Sequence, residues 1–252
     1  MSDWAREYFE RGYAQRWGLP RITEHIRIEV AGLWRYLNLT PSSRLVDVGC
    51  GHGRHALALA QQGATVIGVD FAIAPLTEAR HLGAKLGVQA CWTRGDMRIL
   101  PFRREHFDAA ILLDAFGFFE TEEDNDAVLA NIARTLVPRG RLCLKVVNGC
   151  PILADFRESD TEERDGTVVA ISRTLTLEPP RITEKLIVSG SRGNGQYERR
   201  QRLYRSEEIY RMVESAGFSI VGVSSGADGA PFKPTSSGTM WLIVERIPYT
   251  DN

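Results

Sequence analysis

Apolar residues recur at helical spacing early in the chain and then change period. Ile22, Ile26, Val30, Leu33 and Leu37 fall three or four apart, which predicts an amphipathic helix ahead of the first strand. The stretch before it, Trp4 to Trp17, is rich in aromatic residues. From Arg44 onward short apolar runs alternate with helical patterns, and residues 45–48, 65–69, 88–93, 108–113 and 141–147 read as strands. Such alternation implies a parallel sheet with crossover helices. The fourth crossover opens on Thr121-Glu122-Glu123-Asp124, a capping-box pattern, carries Val128, Ile132 and Leu136 on one face, and is expected to stop at Pro138 and Gly140. Gly63 and Gly87 stand where glycine caps release helices.

After Val147 the period becomes that of strands. Residues 167–177, 182–189 and 197–204 read as long strands joined by Glu178-Pro179-Pro180 and by the glycine-rich residues 190–195, an inserted antiparallel meander. Ser206, followed by Glu207 and Glu208 and closed by Gly217, predicts a capped helix. Residues 218–223 and 240–246 then form a terminal hairpin that closes the sheet.

Composition narrows the function classes. The chain has 252 residues, 43% hydrophobic and 25% charged, with a formal net charge of −1. That is globular composition, and it lacks the basic footprint of a polyanion binder. No window reaches the roughly 18 apolar residues of a membrane-spanning helix. Asp3, Arg6, Glu7 and Glu10 stand where a secretory signal would be apolar, so a cytoplasmic location is expected. Cys50, Cys91, Cys143 and Cys150 form no C-x-x-C pair and have no histidine at zinc-ligand spacing; reduced thiols and no metal site are expected.

The densest chemical signal is Leu45-Val46-Asp47-Val48-Gly49-Cys50-Gly51-His52-Gly53-Arg54-His55, a buried strand running through three glycines into a helix. Glycines let backbone approach a ligand closely, and the free amides at the helix start suit an anionic or strongly polar group. Asp70 ends the second strand, where it can accept hydrogen bonds from both hydroxyls of a ribose. A dinucleotide fingerprint wants a small residue three positions after the second glycine. Arg54 occupies that place, so the spacing favours a nucleoside cofactor without pyrophosphate.

These motifs, in order over residues 40–150, resemble the class I S-adenosylmethionine-dependent methyltransferases. The resemblance assigns Asp47, Gly49, Cys50, Gly51 and Gly53 to the cofactor loop, Asp70 to the ribose, Phe71 to adenine packing, and Gly95-Asp96-Met97 to the adenine edge through Asp96 and Met97. Leu113 joins this set at the end of the fourth strand. Leu136-Val137-Pro138-Arg139-Gly140 is similar to the family's turn before the fifth strand, with Arg139 in place of a glycine. Phe116-Gly117-Phe118-Phe119, Asn148 and Asp228-Gly229-Ala230-Pro231-Phe232 look like a soluble bacterial subgroup with a β-rich insertion and small-molecule acceptors.

The implied fold is α/β: a Rossmann-like, doubly wound, mostly parallel seven-stranded sheet with a C-terminal antiparallel hairpin and an inserted antiparallel β meander. Residues 1–40 are expected as a helical lid, 41–150 as the cofactor core, 151–205 as the insertion, a substrate cap or homodimer contact, and 206–252 as the completion of the sheet. The implied cofactor is S-adenosyl-L-methionine. The implied reaction is in-line methyl transfer to a small-molecule substrate, releasing S-adenosylhomocysteine.

Asp114, where the family subgroup has an uncharged residue, and His55 are the candidate catalytic groups, as proton acceptors or electrostatic partners; Asp114 also reads as a helix-capping acid. Tyr13, Phe116 and Asn148 are candidate substrate contacts, and Asn148 reads equally as a turn former. No Asn-Pro-Pro-Tyr or Asp-Pro-Pro-Tyr follows the fourth strand, so a nucleic-acid partner is not expected, nor is a membrane. Two alternatives stay open on sequence: an NAD(P)-dependent oxidoreductase, and a methyltransferase-like protein that binds cofactor without transferring methyl.

Overall fold

The computed structural model describes residues 2–18 and 21–248. Five parallel strands, β1 (Arg44–Val48), β2 (Thr65–Asp70), β3 (Cys91–Arg94), β4 (Phe107–Leu113) and β5 (Leu136–Val147), form the core of the sheet. The antiparallel β10 (Phe218–Ser224) and β11 (Thr239–Arg246) complete it in the order β10-β11-β5-β4-β1-β2-β3. Strand order reverses at β1, which lies between β2 and β4, so the crevice beyond the carboxyl ends of β1 and β4 is where an open parallel sheet accepts a ligand. The expected seven-stranded architecture is present, and among the described residues no helix is long and apolar enough to cross a membrane.

Helices cover both faces. On one, α3 (Glu24–Tyr36) and α4 (Arg54–Gln61) bury Ile26, Val30, Leu33 and Leu59 against Leu45, Val66 and Ile111. On the other, α6 (Glu122–Thr135) and α8 (Ser206–Ser215) bury Val128, Ile132, Ile209 and Val213 against Val46, Leu112 and Leu144. Between them along the chain, α5 (Ile73–Leu86) ends on the left-handed cap Gly87.

Three local expectations are corrected. Helix α6 is capped by the Thr121 side chain as foreseen but stops at Thr135, before Pro138. Proline disfavours helical backbone in the residue preceding it, and Leu136 already pairs with Phe107 in the sheet. Ser206 is the first helical residue of α8 and not its cap; the Glu208 carboxylate instead accepts the Arg205 N–H at 2.8 Å. The insertion holds a fourth strand, β6 (Ser159–Arg164), beside β7 (Thr167–Leu177), β8 (Pro180–Gly190) and β9 (Gly195–Arg202). The sequence Ser-Asp-Thr-Glu-Glu-Arg shows no apolar alternation because this edge strand has little to bury. A short helix, α7 (Gly149–Ala154), links the core to this meander.

At the N-terminus, α1 (Asp3–Glu7), a π turn over Tyr8–Gly12 and α2 (Tyr13–Trp17) pack on the meander, whereas α3 belongs to the core. Tyr8 is buried among Val169, Ile171, Leu186 and Val188. A Cβ on Gly12 would lie 2.6 Å from the Tyr197 ring, so glycine lets this segment lie close. Arg16 clamps Glu162 through two hydrogen bonds, 2.6 and 2.9 Å. The other end is tied to the core by Glu10, whose carboxylate accepts the Ile73 and Ala74 amides at the start of α5, each at 2.9 Å.

Candidate active site

The turn after β1 shows why its glycines are there. Gly49 has φ +69°, and a Cβ on it would sit 2.6 Å from the Ala115 methyl. Gly51, at φ +50°, would direct a Cβ into open space, and its N–H donates to Asp70 at 2.8 Å. The second Asp70 oxygen accepts the Ala72 N–H at 2.9 Å. Asp70 thus braces the glycine turn to the end of β2 and borders a cavity of about 570 Å³.

One wall of the cavity is the loop side: Asp47, Gly49, Cys50, Gly51, Asp70, Phe71, Met97 and Leu113. Burial pushes the Asp47 carboxyl up to about 7, helped by repulsion from Asp70. Asp70 is raised by burial as well, and so is the Cys50 thiol. Among the described residues neither aspartate has an ion-pair partner. A buried and a half-buried acid left without a cation, beside a turn of glycines, fit a positively charged nucleoside, and S-adenosyl-L-methionine carries both an ammonium and a sulfonium.

The opposite wall comes from the N-terminal segment, the loop after β4 and the meander. Tyr8, Phe9, Tyr13 and Trp17 face the cavity together with Phe118, Phe119, Arg164, Arg199 and Gln201. Phe9 meets Phe71 and Phe118 edge-on, with ring centroids 5.8 and 5.3 Å apart. Tyr13 accepts a hydrogen bond from Arg54 at 3.3 Å and lies 5.3 Å from the His52 ring. Burial and the Arg54 charge lower His52 to about 4, so it is neutral at pH 7.

A third group of residues forms a charged rim. Asp114, at the end of β4 with φ +56°, accepts from Lys145 Nζ at 2.7 Å. Lys145 also reaches Glu29 at 3.0 Å, and the other Glu29 oxygen meets His55 Nε2 at 2.8 Å. Burial alone would raise the Glu29 carboxyl, but the His55 hydrogen bond and the Lys145 ammonium together hold it at about 2. Burial likewise would lower Lys145, and Asp114 and Glu29 reverse that.

Of the residues expected from sequence, the structure gathers Asp47, Gly49, Cys50, Gly51, His55, Asp70, Phe71, Met97, Leu113, Asp114 and Tyr13 on one cavity. The others lie off it. Gly53 is the N-cap position of α4. The Asp96 carboxylate is held by Arg98 at 2.6 Å, which keeps it ionised below the usual range. Phe116 is core, its ring 5.5 Å from Tyr204. Asn148 donates to the Pro234 and Ser237 carbonyls at 2.7 and 2.8 Å and caps α7, so it pins a loop.

Glu29 and Lys145 were missed by sequence reasoning. Each interrupts an apolar pattern, Glu29 between Ile26 and Val30 and Lys145 within the run 141–147, and that interruption was the available signal.

A family model described as a methyltransferase domain matches residues 45–140. The chain is 26% identical to the cypemycin N-terminal methyltransferase of a Streptomyces species, over 80% of this chain and 82% of that one. It is 36% identical to the probable tRNA methyltransferase 9B of Bos taurus over 55% of this chain and 26% of that protein. Among solved structures it resembles S-adenosylmethionine-bound CalS10, an amino pentose methyltransferase from Micromonospora echinaspora, with a TM-score of 0.63 and 25% identity, covering 93% and 94% of the two chains. These likenesses are to methyltransferases rather than to nicotinamide-dependent oxidoreductases.

Proposed function

The chain carries a class I S-adenosylmethionine-dependent methyltransferase domain, and from that premise we propose that it methylates a small molecule held in the same cavity as the cofactor. The observation that carries this reading is the enclosure. The N-terminal segment and Arg164, Arg199 and Gln201 stand across from the glycine loop and leave about 570 Å³, a small-molecule volume on the scale of roughly 300–1,000 Å³.

When bound, the cofactor supplies a methyl group on a positively charged sulfur, a leaving group that needs no acid. The chain supplies placement. Asp70 is assigned the ribose hydroxyls, Phe71, Met97 and Leu113 the adenine, and Asp47 the cationic end. The aromatic wall of Phe9, Tyr13, Trp17, Phe118 and Phe119 excludes water and narrows the acceptor's approach, and alignment at contact distance is the main requirement of an in-line displacement. Two of the similar proteins are named for an N-terminal and an amino pentose acceptor, which favours an amine nucleophile. The similarity to a tRNA enzyme spans about a quarter of that protein. The roofed cavity and the net charge of −1 speak against a polyanionic acceptor.

Incubation with methyl-labelled cofactor and separated cell fractions tests this reading. Label is expected in the small-metabolite fraction; label in tRNA overturns the acceptor class, and tight cofactor binding with no transfer overturns the reaction. In calorimetry, Asp70→Ala should weaken S-adenosylhomocysteine binding by on the order of 1–3 kcal/mol, and unchanged affinity removes Asp70 from the site.

A further inference from the structure

Five charged or titratable side chains form one continuous series on the cavity rim: Asp114 from the end of β4, Lys145 from β5, Glu29 from α3 with His25 of the same helix 3.4 Å from its carboxylate, and His55 from α4. Two of them stand where the fold asks for apolar groups. Glu29 is 4% exposed on the helix face that also buries Ile26, Val30 and Leu33, and Lys145 follows Leu142, Cys143 and Leu144 in the central sheet. Taking a carboxylate and an ammonium out of water costs several kcal/mol per ion, and a well-packed apolar pair is often at least as stable. Stability therefore does not account for the series, whereas its position on the cavity does.

We propose that Glu29 is a positioning residue that fixes the His55 ring so that Nδ1 accepts the proton of the methyl acceptor's reacting atom, with Lys145 anchoring Glu29. This rests on the methyl-transfer reading above. The geometry determines the tautomer. One Glu29 oxygen is occupied by Lys145 at 3.0 Å and the other meets His55 Nε2 at 2.8 Å. A carboxylate held ionised offers only acceptors, so the proton in the second bond sits on Nε2, and the neutral ring keeps its lone pair on Nδ1. Among the described residues Nδ1 has no hydrogen-bond partner, and the ring lines the cavity.

Asp114, the other candidate base, is already occupied by Lys145 at 2.7 Å and is half exposed, which leaves it as the outer end of the series. In the transfer step the acceptor's electron pair forms the new bond to the methyl carbon and the carbon–sulfur pair remains on sulfur. The proton leaving the acceptor goes to Nδ1. The resulting imidazolium stays paired with Glu29 until it releases that proton to water.

The ring can be read without knowing the acceptor. In the wild-type chain saturated with S-adenosylhomocysteine and labelled with ¹⁵N-histidine, long-range ¹H–¹⁵N spectra of neutral His55 should show the Nε2–H tautomer. An Nδ1–H ring overturns the proposal. In Glu29→Gln, whose amide presents both a donor and an acceptor, the single tautomer should give way to a mixture, and an unchanged ring overturns Glu29 as the positioning group. With labelled cofactor and the metabolite fraction, Glu29→Gln should slow transfer about tenfold or more while the cofactor KM stays within twofold; an equal rate also overturns it. Absence of transfer by the wild type would instead count against the proposed function and leave the tautomer result standing.

Discussion

The two sides of one cavity handle buried negative charge in opposite ways. On the loop side Asp47 is buried and Asp70 half-buried, neither with an ion-pair partner among the described residues, and both are pushed upward, Asp47 to about 7. On the rim Glu29 is equally hidden, yet Lys145 and His55 hold it at about 2. The loop side thus leaves its acids without an ion-pair partner among the described residues, whereas on the rim the buried Glu29 is compensated by the Lys145 ammonium and the His55 hydrogen bond. The methyl transfer proposed above, from a cation to a neutral nucleophile, draws on both sides.

Breaking the rim should have the largest effect. Lys145→Met leaves Glu29 buried without its ammonium and should cost about 3–5 kcal/mol of stability in denaturant unfolding. Adding Glu29→Leu should recover most of that loss, since an apolar pair replaces the ion pair. A single variant as stable as the wild type would mean that Lys145 does not compensate the buried Glu29 charge.

The loop side should respond to pH. Asp47 is raised from 3.8 to about 7, so the folded protein binds its proton more tightly than the unfolded chain does. Its contribution to stability is therefore full below about pH 4 and is lost as pH rises through 7. A cationic ligand favours the ionised form, so binding releases that proton. Affinity for S-adenosylhomocysteine, which keeps the ammonium, should rise from pH 6 toward pH 8 by at most about tenfold per pH unit, and Asp47→Asn should flatten the profile. Glu29 has the opposite sign: lowered from 4.5 to about 2, it contributes stability above its unfolded value and loses it as pH falls through 2. A flat affinity profile in the wild type would show that the cofactor's charge does not reach Asp47.

Asp114→Asn sharpens the contrast at its weak end. The side chain is 51% exposed, so its pair with Lys145 should contribute only about 0–1 kcal/mol. Thermal denaturation should barely move, and a loss comparable to that of Lys145→Met would mean that Asp114 belongs to the buried network.

Much of the fold could be read along the chain because its signals are local. The strand, three glycines and helix around Gly49, the acid closing β2 at Asp70 and the capped α6 each repeat a short-range rule. What escaped was of two kinds. Edge strand β6 buries almost nothing and so has no apolar alternation to detect. Asp96, Phe116 and Asn148 have residue types suited to a site, yet their partners Arg98, Tyr204 and the 234–237 loop take them elsewhere.

By itself the sequence determined the sheet and the glycine turn, since these follow from periodicity, backbone freedom and residues a few positions apart. Only the tertiary structure decided which charges meet. Glu29 and Lys145 are 116 residues apart and Lys145 and Asp114 are 31 apart. Their energies depend on burial and on distances of about 3 Å, quantities that no spacing along the chain contains until α3, α4 and the ends of β4 and β5 are packed around one cavity.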